Sequence, residues 1–298
     1  MDFAAGASRA MLAPATVTWL GLVINLALST AKLLAGWLCY SSAIFADGLH
    51  SLSDCLTDVA VLGGLRISGQ PADESHRYGH HRATTLVTAA LSLVLLAAAG
   101  FVAYQAIRDL PGGQTQVRAG LPLGLAILSI LLKEGLYHLT IRSGRRAGDA
   151  SLVANAWHHR SDAWSSVAAA AGLTAVLIGG PRWHFLDHLT AAILASFLAV
   201  VAWRILRPAV AELMDRAPSR EEMQRIEQAV AATRGVRSFH AFRARHLGGK
   251  VEMDIHVQVD PDLTVRDGHD IAHEVRRQIM DCCPNVLSVI VHVEPAEA

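Results

Sequence analysis

The stretch Ala46–Asp58 reads ADGLHSLSDCLTD and sets Asp47, His50, Asp54 and Asp58 inside a long apolar segment. At 3.6 residues per turn, His50 and Asp54 (i, i+4) share one helix face, and Asp47 lies a turn earlier on that face. Ionisable groups at membrane depth are expensive, so they are rare and functional by default. The pattern returns as ANAWHHRSD at Ala154–Asp162. Laid without gaps on ADGLHSLSD, His158 matches His50, Ser161 matches Ser53, Asp162 matches Asp54, and Asn155 faces Asp47. Two helices therefore each offer one imidazole and one carboxylate at the same spacing. Two His and two Asp make a four-ligand set of the kind Zn²⁺ takes. A single such pair is equally well read as polar hydrogen bonding between helices, but the doubled H-x-x-x-D points to one metal site shared by both. Asp47 and Asn155 then support the site or line the path to it. Asp58 sits at a cytoplasmic entrance or simply faces water.

The elements that must hold these residues are membrane spans. The chain of 298 residues is 52% hydrophobic and only 17% charged, with a mean hydropathy of +0.33. That is too apolar for an ordinary soluble domain and fits a membrane protein with a soluble part. Six segments are long enough to cross a bilayer: about 17–40, 42–67, 83–107, 121–141, 152–178 and 185–206. The loops after the second and fourth carry Arg66, Arg77, Arg82, Arg142, Arg145 and Arg146, against Arg108, Arg118 and Arg182 on the other side. The positive-inside rule puts both termini and the basic loops in the cytoplasm. The N-terminal MDFAAGASRA has no basic region followed by a cleavage site, so no removable signal peptide is expected. A net charge of zero leaves no nucleic-acid footprint. Cys39, Cys55, Cys282 and Cys283 form no C-x-x-C pair, which argues against a disulfide framework or a thiolate zinc knuckle.

After Arg207 the composition changes. Ser219 with Glu222 is a capping box that opens a helix to about Thr233. Val236–His246 is a strand candidate, Gly248-Gly249 a hairpin turn, and Lys250–Asp260 alternates apolar Val251, Met253, Ile255, Val257 and Val259 with polar neighbours. Thr264 caps a second helix to about Met280, and Val286–Val293 is a third strand. The expected domains are a six-helix membrane domain over residues 1–210 and a cytoplasmic α-β-β-α-β domain over 211–298, an α+β unit with helices on one sheet face. At this size oligomerisation would help to stabilise the second domain.

Two further sets of ligand-type residues stand outside the spans. The loop SGQPADESHRYGHHRA holds Asp73, His76 and His80, with His81 beside them; spacing alone reads as a solvated polar loop. In the soluble domain His256 lies on the polar strand face, His292 and Glu294 share a face of the last strand, and His240 and His269 lie in the first strand and at the start of the second helix. Lone strand histidines are usually structural, but five such residues in so few elements indicate a cluster. Lys32 in the first span is expected to snorkel to the outer headgroups. Lys133 and Glu134 have no role that spacing reveals.

ADGLHSLSD and ANAWHHRSD resemble the two metal-site helices of the cation diffusion facilitator family, the zinc-type metal/proton antiporters. The resemblance covers nearly the whole chain, including the PADESHRYGH loop and the C-terminal domain. It implies a transport site of His50, Asp54, His158 and Asp162, and a His at the first of these positions is usually associated with zinc. It implies a second, surface zinc on Asp73, His76 and His80. It implies a metallochaperone-like C-terminal domain with two zinc ions near a dimer interface, His240 and His256 on one ion, His269 and His292 on the other, and Glu294 in the place of a bridging Asp. It also implies that Arg82 and Asp215 form a charge pair tying membrane and soluble parts together.

The expected protein is therefore no enzyme but a secondary transporter: a homodimeric multi-pass protein of the inner (cytoplasmic) membrane that exports Zn²⁺ in exchange for protons. An intramembrane metalloenzyme would need an activating base beside the metal, as in H-E-x-x-H, which this sequence lacks. A membrane metal sensor or scaffold that binds without transporting is the remaining alternative. The residue pattern leaves Cd²⁺, Co²⁺, Fe²⁺ and Mn²⁺ open as cargo.

Overall fold

The computed structural model describes residues 14–110, 117–147 and 150–297. The first ten residues, where a signal peptide was considered, and the side chain of Asp58 lie outside what is described. Six long helices come first: α1 (Pro14–Leu38), α2 (Ser42–Ser68), α3 (Ala83–Asp109), α4 (Gly120–Ala147), α5 (Ala150–Gly179) and α6 (Phe185–Leu213). Then follow α7 (Arg220–Ala231), β1 (Ser238–Leu247), β2 (Lys250–Val259), α8 (Val265–Cys282) and β3 (Val286–Pro295). This is the expected six-helix region followed by α-β-β-α-β.

Among the described residues, five of the long helices are apolar enough to cross a bilayer, with mean hydropathies from 1.4 to 2.4. The helix not among them is α2, whose 27 residues match the others in length. Its hydropathy is diluted by Asp47, Asp54, Asp58 and Arg66, the first two of which carry the chemistry considered above. Large apolar side chains such as Leu93, Val94, Phe101, Ile193 and Phe197 point outward, as a lipid-facing surface requires. Small side chains point inward: Ala46 of α2, Val102 and Ala106 of α3, Ala169 of α5, and Ala191 and Ala195 of α6 pack into one buried cluster. Without a hydrophobic drive between helices in lipid, such small residues let backbones approach and gain dispersion contact.

The start of α2 is pinned by an acid from another helix. Asp187 of α6 accepts from Ser41 Oγ at 2.6 Å, from Ser42 N at 2.6 Å and from Ala43 N at 3.3 Å. A carboxylate there satisfies amides that have no partner within the helix and complements the positive end of its dipole. Close packing of α1 on α2 depends on Gly48, where an added Cβ would lie 2.9 Å from both Leu33 N and Lys32 Cβ.

The chain divides into two compact units, one drawn from residues up to Val59 with Leu91–Arg204, the other from Ala60–Ala90 with Ile205–Ala298. In the second unit the sheet order is β1-β2-β3, antiparallel then parallel. The helix α7 opens with the full capping box of Ser219 and Glu222. The amide of Ser219 and the side chain of Asn285 hold the Glu222 carboxyl below its usual range. The apolar face of β2, with Val251, Met253, Ile255, Val257 and Val259, packs on Ile226 and Val230 of α7 and Val275 and Ile279 of α8. The hairpin turn is Gly248-Gly249, with φ of 60° and 78°. Both angles need glycine, as a type I′ turn does. Gly248 also abuts the carbonyl of His81, which a Cβ would strike at 2.1 Å.

Gly48→Ala is expected to force α1 off α2 and to cost roughly 1–3 kcal/mol of stability. Thermal unfolding of the detergent-purified protein, followed by tryptophan fluorescence, should show a lowered midpoint.

Candidate metal centres

On α2 and α5 the structure brings His50, Asp54 and Asp162 together, with one ligand atom from each lying within 4.8 Å of the others. The i, i+4 spacing puts His50 and Asp54 on one face of α2, and the turn of α5 that carries Asp162 faces it. His50 and Asp162 are buried. The His50 ring stands edge-on to Phe197 of α6, with centroids 5.7 Å apart. His158 lies outside this three-residue group. Its Nδ1 is 3.6 Å from Asp162 Oδ1, but its side chain is half exposed. It stands beside the cluster, next to Asp162.

Beneath the cluster is a buried polar network that spacing does not reveal. Lys32 does not snorkel: it is fully buried, and its Nζ is 2.8 Å from Asp47 Oδ2. It also donates to Ser51 Oγ at 3.2 Å and to Ser166 Oγ at 3.0 Å. The close approach of α1 at Gly48 brings the lysine onto the acid, and an ion pair inside is cheaper than two separately desolvated charges. Ser165 Oγ donates to Asp47 Oδ1 at 2.7 Å, so Asp47 supports the site from below rather than joining the cluster. Lys133 of α4 is also buried, and donates to Ser51 Oγ and to the Asp162 carbonyl, each at 3.3 Å. Its neighbour Glu134 faces outward instead, 3.5 Å from Arg160 and 3.3 Å from His138.

The second cluster is the loop between α2 and α3. Asp73 Oδ1 accepts from Ser75 N at 2.9 Å, Ser75 Oγ at 2.9 Å and His76 N at 2.6 Å. The His76 amide, with Ser75, holds this exposed carboxyl down at about 2. His76 Nδ1 and His80 Nε2 each lie 3.4 Å from the Asp73 carboxylate, and the two rings are 4.4 Å apart. All three residues fall within ligand reach of one another. His80 Nδ1 is buried without a protein partner. His81 is not part of this ligand group, and its carbonyl lies against Gly248. In the same unit Arg82 makes a very short ion pair with Asp215 and donates to the Leu213 carbonyl at 3.2 Å. That contact holds the Asp215 carboxyl below its usual range. Arg245 adds to it at 3.5 Å.

The third cluster is a rung across the sheet. His240 pairs with His256 across the antiparallel ladder, and His256 pairs with His292 across the parallel one. Three imidazoles therefore stand side by side on one face, which strand spacing alone cannot show because register is a tertiary property. Glu294 collects them: His256 Nδ1 lies 2.7 Å, His240 Nε2 3.2 Å and His292 Nε2 3.5 Å from its carboxylate. The first two and Glu294 form a ligand group, and His292 packs on His256 with ring centroids 4.7 Å apart. The β-bulge after His240, with Ala241 at φ 48°, turns the next residues out of register. His269 does not join the group. Its ring packs on His273 at 4.4 Å, although it lines a surface cavity of about 480 Å³ together with Glu294.

Three sets of nitrogen and oxygen donors, one inside the helices and two outside, match a protein that handles divalent cations. Comparison with known proteins agrees. The transmembrane domain of cation efflux proteins matches residues 18–214, and their cytoplasmic domain matches residues 218–296. The chain belongs to the cation diffusion facilitator family. Its relatives include Metal tolerance protein C1 of Arabidopsis thaliana, 35% identical over 93% of this chain. The chain spans 61% of that relative's length. Manganese efflux system protein MneP of Bacillus subtilis is 31% identical over 94% of this chain and 95% of its own. Magnetosome protein MamB of Magnetospirillum gryphiswaldense is 30% identical over 95% of this chain and 94% of its own. A solved nickel form of the MamM CTD aligns at 28% identity with 26% of this chain and 100% of its own, with a TM-score of 0.26. Membership of the family makes this a multi-pass membrane protein and a divalent-metal efflux transporter rather than an enzyme.

Three residues of this region escape spacing arguments. Asp187, Lys32 and Lys133 are charges set in apolar segments, and the signal for each is its presence at membrane depth.

In an Asp54→Asn background, His240→Ala and Glu294→Gln are each expected to weaken Zn²⁺ binding by the soluble part on the order of tenfold or more. His269→Ala should have a smaller effect. Isothermal titration of the purified chain measures all three.

Proposed function

We propose that the protein exports Zn²⁺ from the cytoplasm by exchange for protons, with His50, Asp54, His158 and Asp162 as the transport site. The observation that carries this is the meeting of His50, Asp54 and Asp162 inside the helices, with His158 at 3.6 Å from Asp162. In this reading the half-exposed His158 ring supplies the fourth ligand when the ion is bound. Two imidazoles and two carboxylates suit Zn²⁺ in tetrahedral geometry. Each ligand must shed its proton to bind metal, so proton and cation compete for the same lone pairs. Imidazole is the side chain that most readily exchanges a proton near neutral pH, which suits that competition. Alternating access then follows if the helices rock about a site that faces either side in turn.

In this reading both termini lie in the cytoplasm of a cell whose inner membrane holds the chain, because the arginine-rich loops lie on that side. Residues 1–210 form the transport domain and 211–298 the cytoplasmic domain. The loop set Asp73, His76 and His80 and the sheet set His240, His256, His292 and Glu294 bind further Zn²⁺ and report cytosolic metal. His269 completes the second set when two copies of the soluble domain come together in a homodimer.

A second reading is Mn²⁺ as cargo, favoured by relatives named as manganese efflux proteins. Mn²⁺ prefers carboxylate and water over imidazole, and the imidazole of His50 weighs against it.

Proteoliposomes holding the purified protein should accumulate Zn²⁺ when a pH gradient is imposed, and Mn²⁺ should compete weakly. Asp54→Ala should abolish flux; undiminished flux would remove this site from the mechanism.

A further inference from the structure

The outward face of the α4–α5 hairpin carries charge where lipid is expected. The helix α5 has 30 residues, about 45 Å, which spans a bilayer together with its headgroup layers. The headgroups take roughly the first 7 Å of it. Arg160 starts about 15 Å along the helix, well beneath that layer, yet its side chain is 44% exposed. The positive-inside rule gathers arginines at helix ends, not here, and ionisable groups at this depth ordinarily face the bundle interior. Protein partners occupy little of the Arg160 side chain. Nη2 lies 3.5 Å from Glu134 Oε1, an oxygen that His138 also approaches at 3.3 Å. The guanidinium carbon lies 4.6 Å from the Tyr137 ring centre and 5.8 Å from that of Trp157. Those aromatic contacts hold the group without consuming its donors. A guanidinium carries a fork of N–H donors, and one long contact leaves most of it for an acceptor outside the protein. Arg142 and Arg145 continue the exposed face of α4 one and two turns beyond His138. Neither forms an ion pair among the described residues. Arg142 lies about 7 Å from the end of its helix, at headgroup depth. Trp157, 52% exposed, lies between the levels of Arg142 and Arg160, where interfacial aromatic residues gather.

We infer that this face binds the headgroup of an anionic phospholipid, with Arg142 and Arg160 on its phosphate and Trp157 against its glycerol region. Arg142 meets the phosphate at its own depth. Arg160 reaches it from beneath by snorkelling along the hairpin, with Glu134 anchoring its inner side. Arginine forks match phosphate oxygens in geometry as well as in charge. Arg145 adds positive charge at the rim, which favours an anionic headgroup over one that brings its own cation. A second copy of the chain fits the face less well. A two-fold contact sets a patch against itself, here arginines against arginines. Among the described residues, the exposed part of α4 and α5 offers them Glu134 alone, already engaged by Arg160 and His138.

The test uses the full-length protein in a non-ionic detergent, offered phosphatidylglycerol and phosphatidylcholine in equal amounts. Native mass spectrometry counts the retained lipid, and thermal unfolding reports stabilisation. Phosphatidylglycerol is expected to be retained in preference and to raise the unfolding midpoint. A variant with both Arg142→Gln and Arg160→Gln should bind it on the order of tenfold less tightly. Arg160→Lys keeps the charge and loses the fork, and should fall between that variant and the parent. Unfolding in phosphatidylcholine alone checks that each variant folds. Arg66→Gln removes a charge from the end of α2 and should leave retention at the parent level. A loss there as large as in the double variant would mean diffuse attraction and overturn the site. Equal retention of both lipids, or equal stabilisation by inorganic phosphate at the same concentration, would overturn it too. So would a double variant that turns monomeric while keeping its phosphatidylglycerol, because the face would then lie between copies.

Discussion

A charge carried into an apolar helix bundle has to be answered within it, because neither lipid nor a packed interior will solvate it. The arrangement around α2 follows from that constraint. Asp47 is matched by Lys32 from α1. Asp187 is matched by the amides and hydroxyl at the start of α2. Glu134 is matched by Arg160, whose guanidinium also lies 4.6 Å from the Tyr137 ring centre. Each pairing joins two different helices, so the acids and bases that the lipid would reject also define which helices are neighbours. The small residues do the complementary work. Gly48 and the alanines of the buried cluster allow the approach without which no lysine could reach its acid.

His50, Asp54 and Asp162 are the place where ligand-type groups from two helices are gathered inside the bundle. Two carboxylates and an imidazole converge within a few ångströms, with Lys133 bonded to the Asp162 carbonyl and a second imidazole, His158, at the rim. The outer clusters obey looser rules. Asp73, His76 and His80 are open to water, where the Asp73 carboxylate is held mainly by local amides, and exposed ion pairs contribute little on their own. The Glu294 rung is half-buried on a sheet whose core is secured independently by α7 and α8. The packing of that domain therefore does not depend on the rung.

How much of this was legible in the residues can be argued element by element. The six long helices and the α-β-β-α-β order follow from hydropathy, capping residues and alternation, which are local properties. The capping box at Ser219 and the Gly248-Gly249 turn are found where their types require. The doubled H-x-x-x-D is likewise local, since i, i+4 geometry is a property of any helix. That His269 stays out of the Glu294 ligand group, and that His158 stands at the edge of its cluster, is not local, because each depends on how whole elements pack.

Sequence by itself determined that this chain spans a membrane, that two of its helices carry matching imidazole and carboxylate groups, and that a small sheet domain follows. Only the tertiary structure decided which charges meet: Lys32 with Asp47, Lys133 behind Asp162, and three histidines from three strands on one glutamate. The physical reason is range. Helical periodicity and turn chemistry are set by neighbours a few residues apart. A counter-ion or a strand register is chosen by desolvation and packing across the fold, between residues as far apart in the chain as Lys32 and Ser166.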